Sequence, residues 1–159
     1  MSKTQDTPPP ETNVLSDVDA IAAEVEAFYR AYISAFNRED IAHWARSFAY
    51  PYAFVSGRGL AICRSEADHR VLASPAFAEL KSSGWSHSEI GFLKVWPIGN
   101  NHAMVLSDLT RYKKDGSLLE SGRFCYTVRL DGHEWKIVTM FTVAEPFLGP
   151  GDFPRRSSQ

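Results

Sequence analysis

The chain has 159 residues, 44% of them hydrophobic, and a formal charge of −2 at pH 7, which suits one domain around a single core. That charge supplies no long-range positive field, so nucleic acid and anionic membrane are excluded as expected partners. No apolar run approaches the roughly 20 residues that span a bilayer, and the N-terminus carries no apolar secretory segment, so a soluble, cytoplasmic protein is expected.

Residues 1–15, with "TPPPET" among them, combine proline and polar residues without periodicity and predict a disordered leader. Ser16 and Asp19 stand at capping-box spacing, so the ordered domain is expected over 16–143. Val18, Ala22, Val25, Tyr29, Tyr32 and Phe36 then recur in steps of three and four, widened by Ile21, Phe28 and Ile33. This is the helical period, running to about Asn37. "NRED" interrupts it, and Asp40 is placed to cap a second helix whose buried face is Ile41, Trp44, Ala45 and Phe48. In "YPYAFVSG" the alternation puts Tyr52, Phe54 and Ser56 on one face of a strand and Ala53 and Val55 on the other. Leu60 to Ile62 read as a short second strand. Ser65 and Asp68 repeat the capping-box spacing, and Ser74–Pro75 predicts a break in a helix over 65–81.

Strands are predicted at about 86–96, 102–113, 118–130 and 135–143, separated by the turn sequences "IGNN", "KDGS" and "DGHE". A two-residue turn at Asp115 and Gly116 sets Asp108 opposite Arg123 and Arg111 opposite Glu120, on opposite faces of the sheet. Asp108 and Arg123 share their face with Met104, Leu106, Cys125 and Thr127, where an ion pair is either a brace or a functional device. Val105, Leu109 and Phe124 make the other face apolar as well, and an uncovered apolar sheet face predicts a homodimer. Residues 144–159 are rich in proline and glycine and predict a tail wandering over the surface. Helices first and an antiparallel meander after is an α+β order.

The long first helix, the phrase "YISAFNREDIAHWARSF", the aromatic strand, the short helix and the four late strands together resemble the nuclear transport factor two-like superfamily. This is also the ketosteroid isomerase-like or SnoaL-like polyketide cyclase-like fold, and the likeness covers about residues 17 to 143. It implies a cone-shaped, strongly curved, mostly antiparallel sheet wrapped around three or four N-terminal helices, with a ligand in the open end and a homodimer on the outer sheet face. In ketosteroid isomerase an aspartate base works with an oxyanion hole made of a tyrosine and a neutral carboxylic acid. Aligned through "YISAFN", the tyrosine falls on Tyr32, but the base falls on Ser56, which has no useful basicity, and the acid falls near Arg123, a permanent cation. Isomerase chemistry therefore lacks its partners.

The candidate catalytic groups are Asp108, the closest match to the inner-sheet aspartate of polyketide cyclases, with Tyr32 and His87. Tyr32 is either a core tyrosine or a pocket donor, and His87, on the alternating run "WSHSEIGF", is the histidine that could share a cavity with Asp108. Arg123, Trp44, Phe48, Tyr52, Phe54 and Ser56 are the expected ligand-binding residues. His43 reads as a rim residue, His102 and His133 as solvated. Glu66 and His69, at i, i+3 on a helix, are a thin metal lead without the further carboxylates a di-iron site needs, so they read as a solvated face. Cys63 and Cys125 read as packing thiols. No metal and no cofactor are expected, since hydrolase, nucleotide and dinucleotide motifs are missing. Three functions stay open: a cofactor-free cyclase, dehydratase or hydratase acting on a small apolar or aromatic molecule; a binding module using the same pocket; and a structural subunit like the small subunit of ring-hydroxylating dioxygenases.

Overall fold

Nine elements follow one another: α1 (Val14–Asn37), α2 (Ile41–Arg46), β1 (Phe48–Ser56), β2 (Gly59–Cys63), α3 (Glu66–Ser82), β3 (Trp85–Pro97), β4 (His102–Lys113), β5 (Leu118–Asp131) and β6 (Glu134–Val143). They belong to a computed structural model that describes residues 14–143; the expected tail and residues 1–13 of the expected leader lie outside the described residues. The strands form one curved sheet in the order β2-β1-β6-β5-β4-β3, antiparallel at every pairing except β1 with β6. This is the cone-shaped α+β architecture that the resemblance implies.

The helix ends follow local chemistry. α1 is already helical at Val14, so Ser16 and Asp19 lie inside its first turns and not at a cap. Glu39 turns the chain with φ of 57°, and Asp40 caps α2 by accepting from the His43 N–H at 3.0 Å. Phe48, expected on α2, opens β1 instead. Ser65 caps α3, accepting from the Asp68 N–H at 3.1 Å. The break expected near Ser74 does not occur, because Pro75 sits inside a continuous α3. Proline removes the hydrogen bond to the carbonyl four residues back, here that of Val71, a residue on the solvent side.

The β4–β5 hairpin pairs Asp108 with Arg123 and Arg111 with Glu120, the expected partners, yet by a different route. Lys113 N donates to Ser117 O at 2.9 Å and Gly116 takes a positive φ of 82°, so the turn is the longer, glycine-bulged kind. That turn shifts the pairing by one, and an irregularity between Arg111 and Tyr112 shifts it back.

The concave face carries the core. Val105, Leu109, Tyr126, Val128 and Ile137 pack against Val25, Tyr29, Tyr32 and Ile33 of α1; the Tyr29 and Tyr126 rings meet edge-on at 5.1 Å. Burying each such side chain contributes about 1.5–3 kcal/mol. The face with Val105, Leu109 and Phe124 is therefore covered by helices, and the convex face is the one with Met104, Leu106 and Asp108. Asn37, at the end of α1, ties the helix to β3: its amide donates to Ser88 O at 2.8 Å and accepts from Ser88 N at 2.9 Å.

Candidate functional site

A cleft of about 640 Å³ opens between α3 and the concave face of the sheet. Its walls are largely aromatic and aliphatic, with Phe36, Trp44, Tyr52, Phe54, Phe77, Phe124 and Met140 among them, and His69, Arg111 and Glu120 bring polarity to it. The sequence builds these walls by simple periodicities. On β1 alternation brings Tyr52 and Phe54 to the inner face, and the β1–β2 register sets Cys63 beside Tyr52 and Ala61 beside Phe54. On α3 His69, Ala73 and Phe77 follow at intervals of four and are its buried residues.

His69 has an unusual environment. It is 1% exposed, with the Trp44 and Phe48 ring centroids each 4.4 Å from its own and Tyr52 at 5.3 Å. Neither of its ring nitrogens has a hydrogen-bond partner among the described residues. Burial lowers its pKa from 6.5 to about 4, against a small opposing pull from Glu66, so the imidazole is neutral at pH 7. A neutral imidazole has one donor and one acceptor nitrogen, and leaving such groups unsatisfied in apolar surroundings costs about 1–3 kcal/mol each.

The neighbours of His69 are neutral too. Desolvation pushes the Tyr52 hydroxyl and the Cys63 thiol up, and these two groups lie against one another. Among the described residues, the charged groups that line the cleft are Glu79, Arg111 and Glu120; at the rim the Arg111 guanidinium pairs with the Glu120 carboxylate and lies over the Phe36 ring at 5.9 Å.

The expected catalytic groups do not converge here. Arg123 and Asp108 form a two-bond pair, Nε to Oδ1 at 2.6 Å and Nη2 to Oδ2 at 2.8 Å, on the convex face. Their chain neighbours Ser107 and Phe124, which pair with each other, take the concave face, and side chains alternate. The expectation that the Asp108 carboxylate faces the cleft is thus corrected, and Arg123 is corrected with it. His87 is on the convex face as well, stacked on Tyr112 at 5.3 Å with Nε2 3.4 Å from a Glu89 oxygen. Tyr32 is 4% exposed, enclosed by Tyr29, Trp44, Phe48 and Tyr126, and burial pushes its hydroxyl up to about 12. It borders a separate hollow of about 280 Å³ beside Phe28, His43 and Trp135, not the cleft. Trp44, Tyr52 and Phe54 line the cleft, while Phe48 is core behind His69 and Ser56 ends β1, accepting from Arg58 N at 3.2 Å.

Of the expected ligand-binding residues only Trp44, Tyr52 and Phe54 line the cleft, and its polar His69, Arg111 and Glu120 are among those the sequence reading did not place there. His69 was paired with Glu66 and read as solvated, although its spacing to Ala73 and Phe77 carried the signal of a buried stripe. Arg111 and Glu120 were recognised as cross-strand partners, but which face of the sheet looks inward was not legible. Among the described residues no cluster of His, Cys, Asp and Glu is arranged to hold a metal ion.

Comparison with known proteins agrees with this architecture. A family model described as NTF2-like protein (DUF6841) matches residues 23–145, more than half of the chain. No curated protein matches the sequence. An NTF2-like protein with a cystatin-like fold from Novosphingobium aromaticivorans superposes with a TM-score of 0.66 at 13% identity, over 89% of this chain and 95% of its own. A ketosteroid isomerase-like protein from Erwinia carotovora atroseptica gives 0.52 at 21% identity, over 76% and 93%. A protein assigned as the beta subunit of an aromatic-ring-hydroxylating dioxygenase, also from N. aromaticivorans, gives 0.57 at 14% identity, over 79% and 89%. At these identities the likeness carries the fold alone.

Proposed function

The chain belongs to the NTF2-like family DUF6841, and on that premise we propose that it binds a small, flat, largely apolar molecule in the cleft between α3 and the sheet, without transforming it. The observation that carries this reading is His69, a neutral imidazole with both nitrogens unpartnered at the wall of an aromatic cleft of about 640 Å³. Volumes of about 300–1,000 Å³, apolar walls and a few placed polar groups are what small-molecule sites have in common. A convex-face Asp108 leaves the cyclase, dehydratase or hydratase reading without its carboxylate base, and an imidazole with a pKa of about 4 is a weak substitute at neutral pH. The structural-subunit reading draws support from the descriptions of fold neighbours and from no feature of the cleft.

The test is a titration with N-phenyl-1-naphthylamine, a neutral dye that fluoresces in apolar surroundings. The reading expects saturable binding to one site, a melting temperature that rises with dye concentration, and recovery of the dye unchanged. Absence of saturable binding would overturn it. A homodimer on the convex face and a cytoplasmic location belong to the same proposal. Half-buried Cys125 and Phe141 on that face support the first, and sedimentation equilibrium tests it. No helix among the described residues is long and apolar enough to cross a membrane.

A further inference from the structure

We infer that His69 is the specificity-determining residue of the cleft and that the ligand is a neutral planar aromatic alcohol, bound with its hydroxyl foremost against the imidazole. The inference rests on the cleft being a binding site for apolar molecules and adds what chemistry it selects. Three observations carry it. First, the ring sits at the cleft wall yet has no partner among the described residues for either nitrogen. A ligand oxygen that bonds to one nitrogen therefore relieves a group that is otherwise unsatisfied, and gains more than it would by exchanging one protein bond for another.

Second, the described titratable groups around the imidazole are neutral or turned to the surface. Tyr50 and Tyr52 of β1 and Cys63 of β2 are all pushed up by desolvation, and Glu66, on the same helix, is paired with Arg70. Among the described residues Arg111 is the one cation that lines the cleft, and its guanidinium, at the rim, already has Glu120. An anionic head group would enter apolar surroundings uncompensated, whereas a hydroxyl donates to the acceptor nitrogen of a neutral imidazole at no charge cost. Third, the surfaces around the polar end are rings. Trp44, Phe48 and Tyr52 pack on His69 at 4.4 to 5.3 Å, and Phe36, Phe54 and Phe124 continue the wall outward. Such walls reward a flat ring system through edge and face contacts. To reach the nitrogen the hydroxyl must displace one ring of this cage.

The experiment compares 2-naphthol with naphthalene on the wild-type protein, on His69→Phe and on His69→Gln, by calorimetry and by the long-range nitrogen–proton couplings of the imidazole in a histidine-labelled sample. The wild type should bind 2-naphthol roughly tenfold more tightly than naphthalene, as one well-made hydrogen bond implies, and the alcohol should shift the His69 ring nitrogens. His69→Phe should still bind naphthalene but lose the preference, and His69→Gln, which keeps a donor and an acceptor, should recover part of it. Equal affinities for the two probes in the wild type would overturn the inference while leaving the cleft a binding site. Binding of neither would overturn both. An unchanged preference in His69→Phe would transfer selectivity to another group and likewise overturn it.

Discussion

Replacing His69 with phenylalanine should make the ligand-free protein more stable, and by an amount that grows as the pH falls. At pH 7 the change removes two buried nitrogens without partners, each costing about 1–3 kcal/mol. Part of that gain is offset by the larger ring, since overpacking costs about 1–3 kcal/mol, and the open cleft beside the site gives the ring room to adjust. A net gain of about 1–2 kcal/mol is expected at neutral pH. The pH dependence follows from the depressed pKa. Below pH 6.5 the unfolded chain binds a proton at His69 that the folded chain refuses until about pH 4, so wild-type stability drops across that window and levels off beneath it. At about 1.4 kcal/mol per pH unit the loss approaches about 3 kcal/mol. Phenylalanine has no proton to bind, and the carboxylates elsewhere titrate alike in both proteins. Urea denaturation of wild type and His69→Phe at steps between pH 4 and pH 7.5 reads the difference directly. Parallel stability curves, with a gap that does not widen as the pH falls from 6.5 to 4, would mean instead that His69 is protonated in the folded state or solvated.

Three further substitutions separate the cleft from the scaffold. Asp108→Ala should cost about 1–3 kcal/mol, less than a fully buried pair because the Asp108 side chain is 24% exposed against 3% for Arg123; dye affinity measured below the unfolding transition should not change. Asn37→Ala removes both bonds to the Ser88 backbone and should lower stability by about 2–3 kcal/mol, read by urea denaturation, with retained dye binding. Gly122→Ala sets a Cβ 2.9 Å from the Phe124 Cε2. The ring, which borders the cleft, has to swing, so dye affinity should fall several-fold while stability falls by about 1–2 kcal/mol.

Much of the fold was legible because its signals are local and periodic. Asp40 and Ser65 announce helix starts through their own side chains, and β3 to β6 fall where alternation and turn residues put them. The β4–β5 register shows the limit of such reasoning: the partners of Asp108 and Arg111 follow correctly from a two-residue turn that the chain does not make, because the irregularity beside Tyr112 cancels the longer turn. The site was less legible. Alternation assigns Asp108 and Val105 to different faces without saying which looks inward, and both faces carry apolar residues, Leu106 and Cys125 on one, Val105 and Leu109 on the other. The helices decide, and they cover Val105 and Leu109. Tyr32 was drawn toward the pocket by an alignment, whereas four aromatic neighbours enclose it. His69 was judged by its charged neighbour Glu66, although its apolar neighbours at intervals of four determine where it points.

The most direct test of the central claim is a chemical-shift map of the isotope-labelled protein titrated with N-phenyl-1-naphthylamine. Perturbations should concentrate on the inner residues of β1 and β2 and on α3, at Tyr52, Phe54, Cys63, His69, Ala73 and Phe77, with Asp108, His87 and Tyr112 unmoved. Perturbations centred on those convex-face residues, or around Tyr32 and Trp135 with the cleft silent, would contradict it.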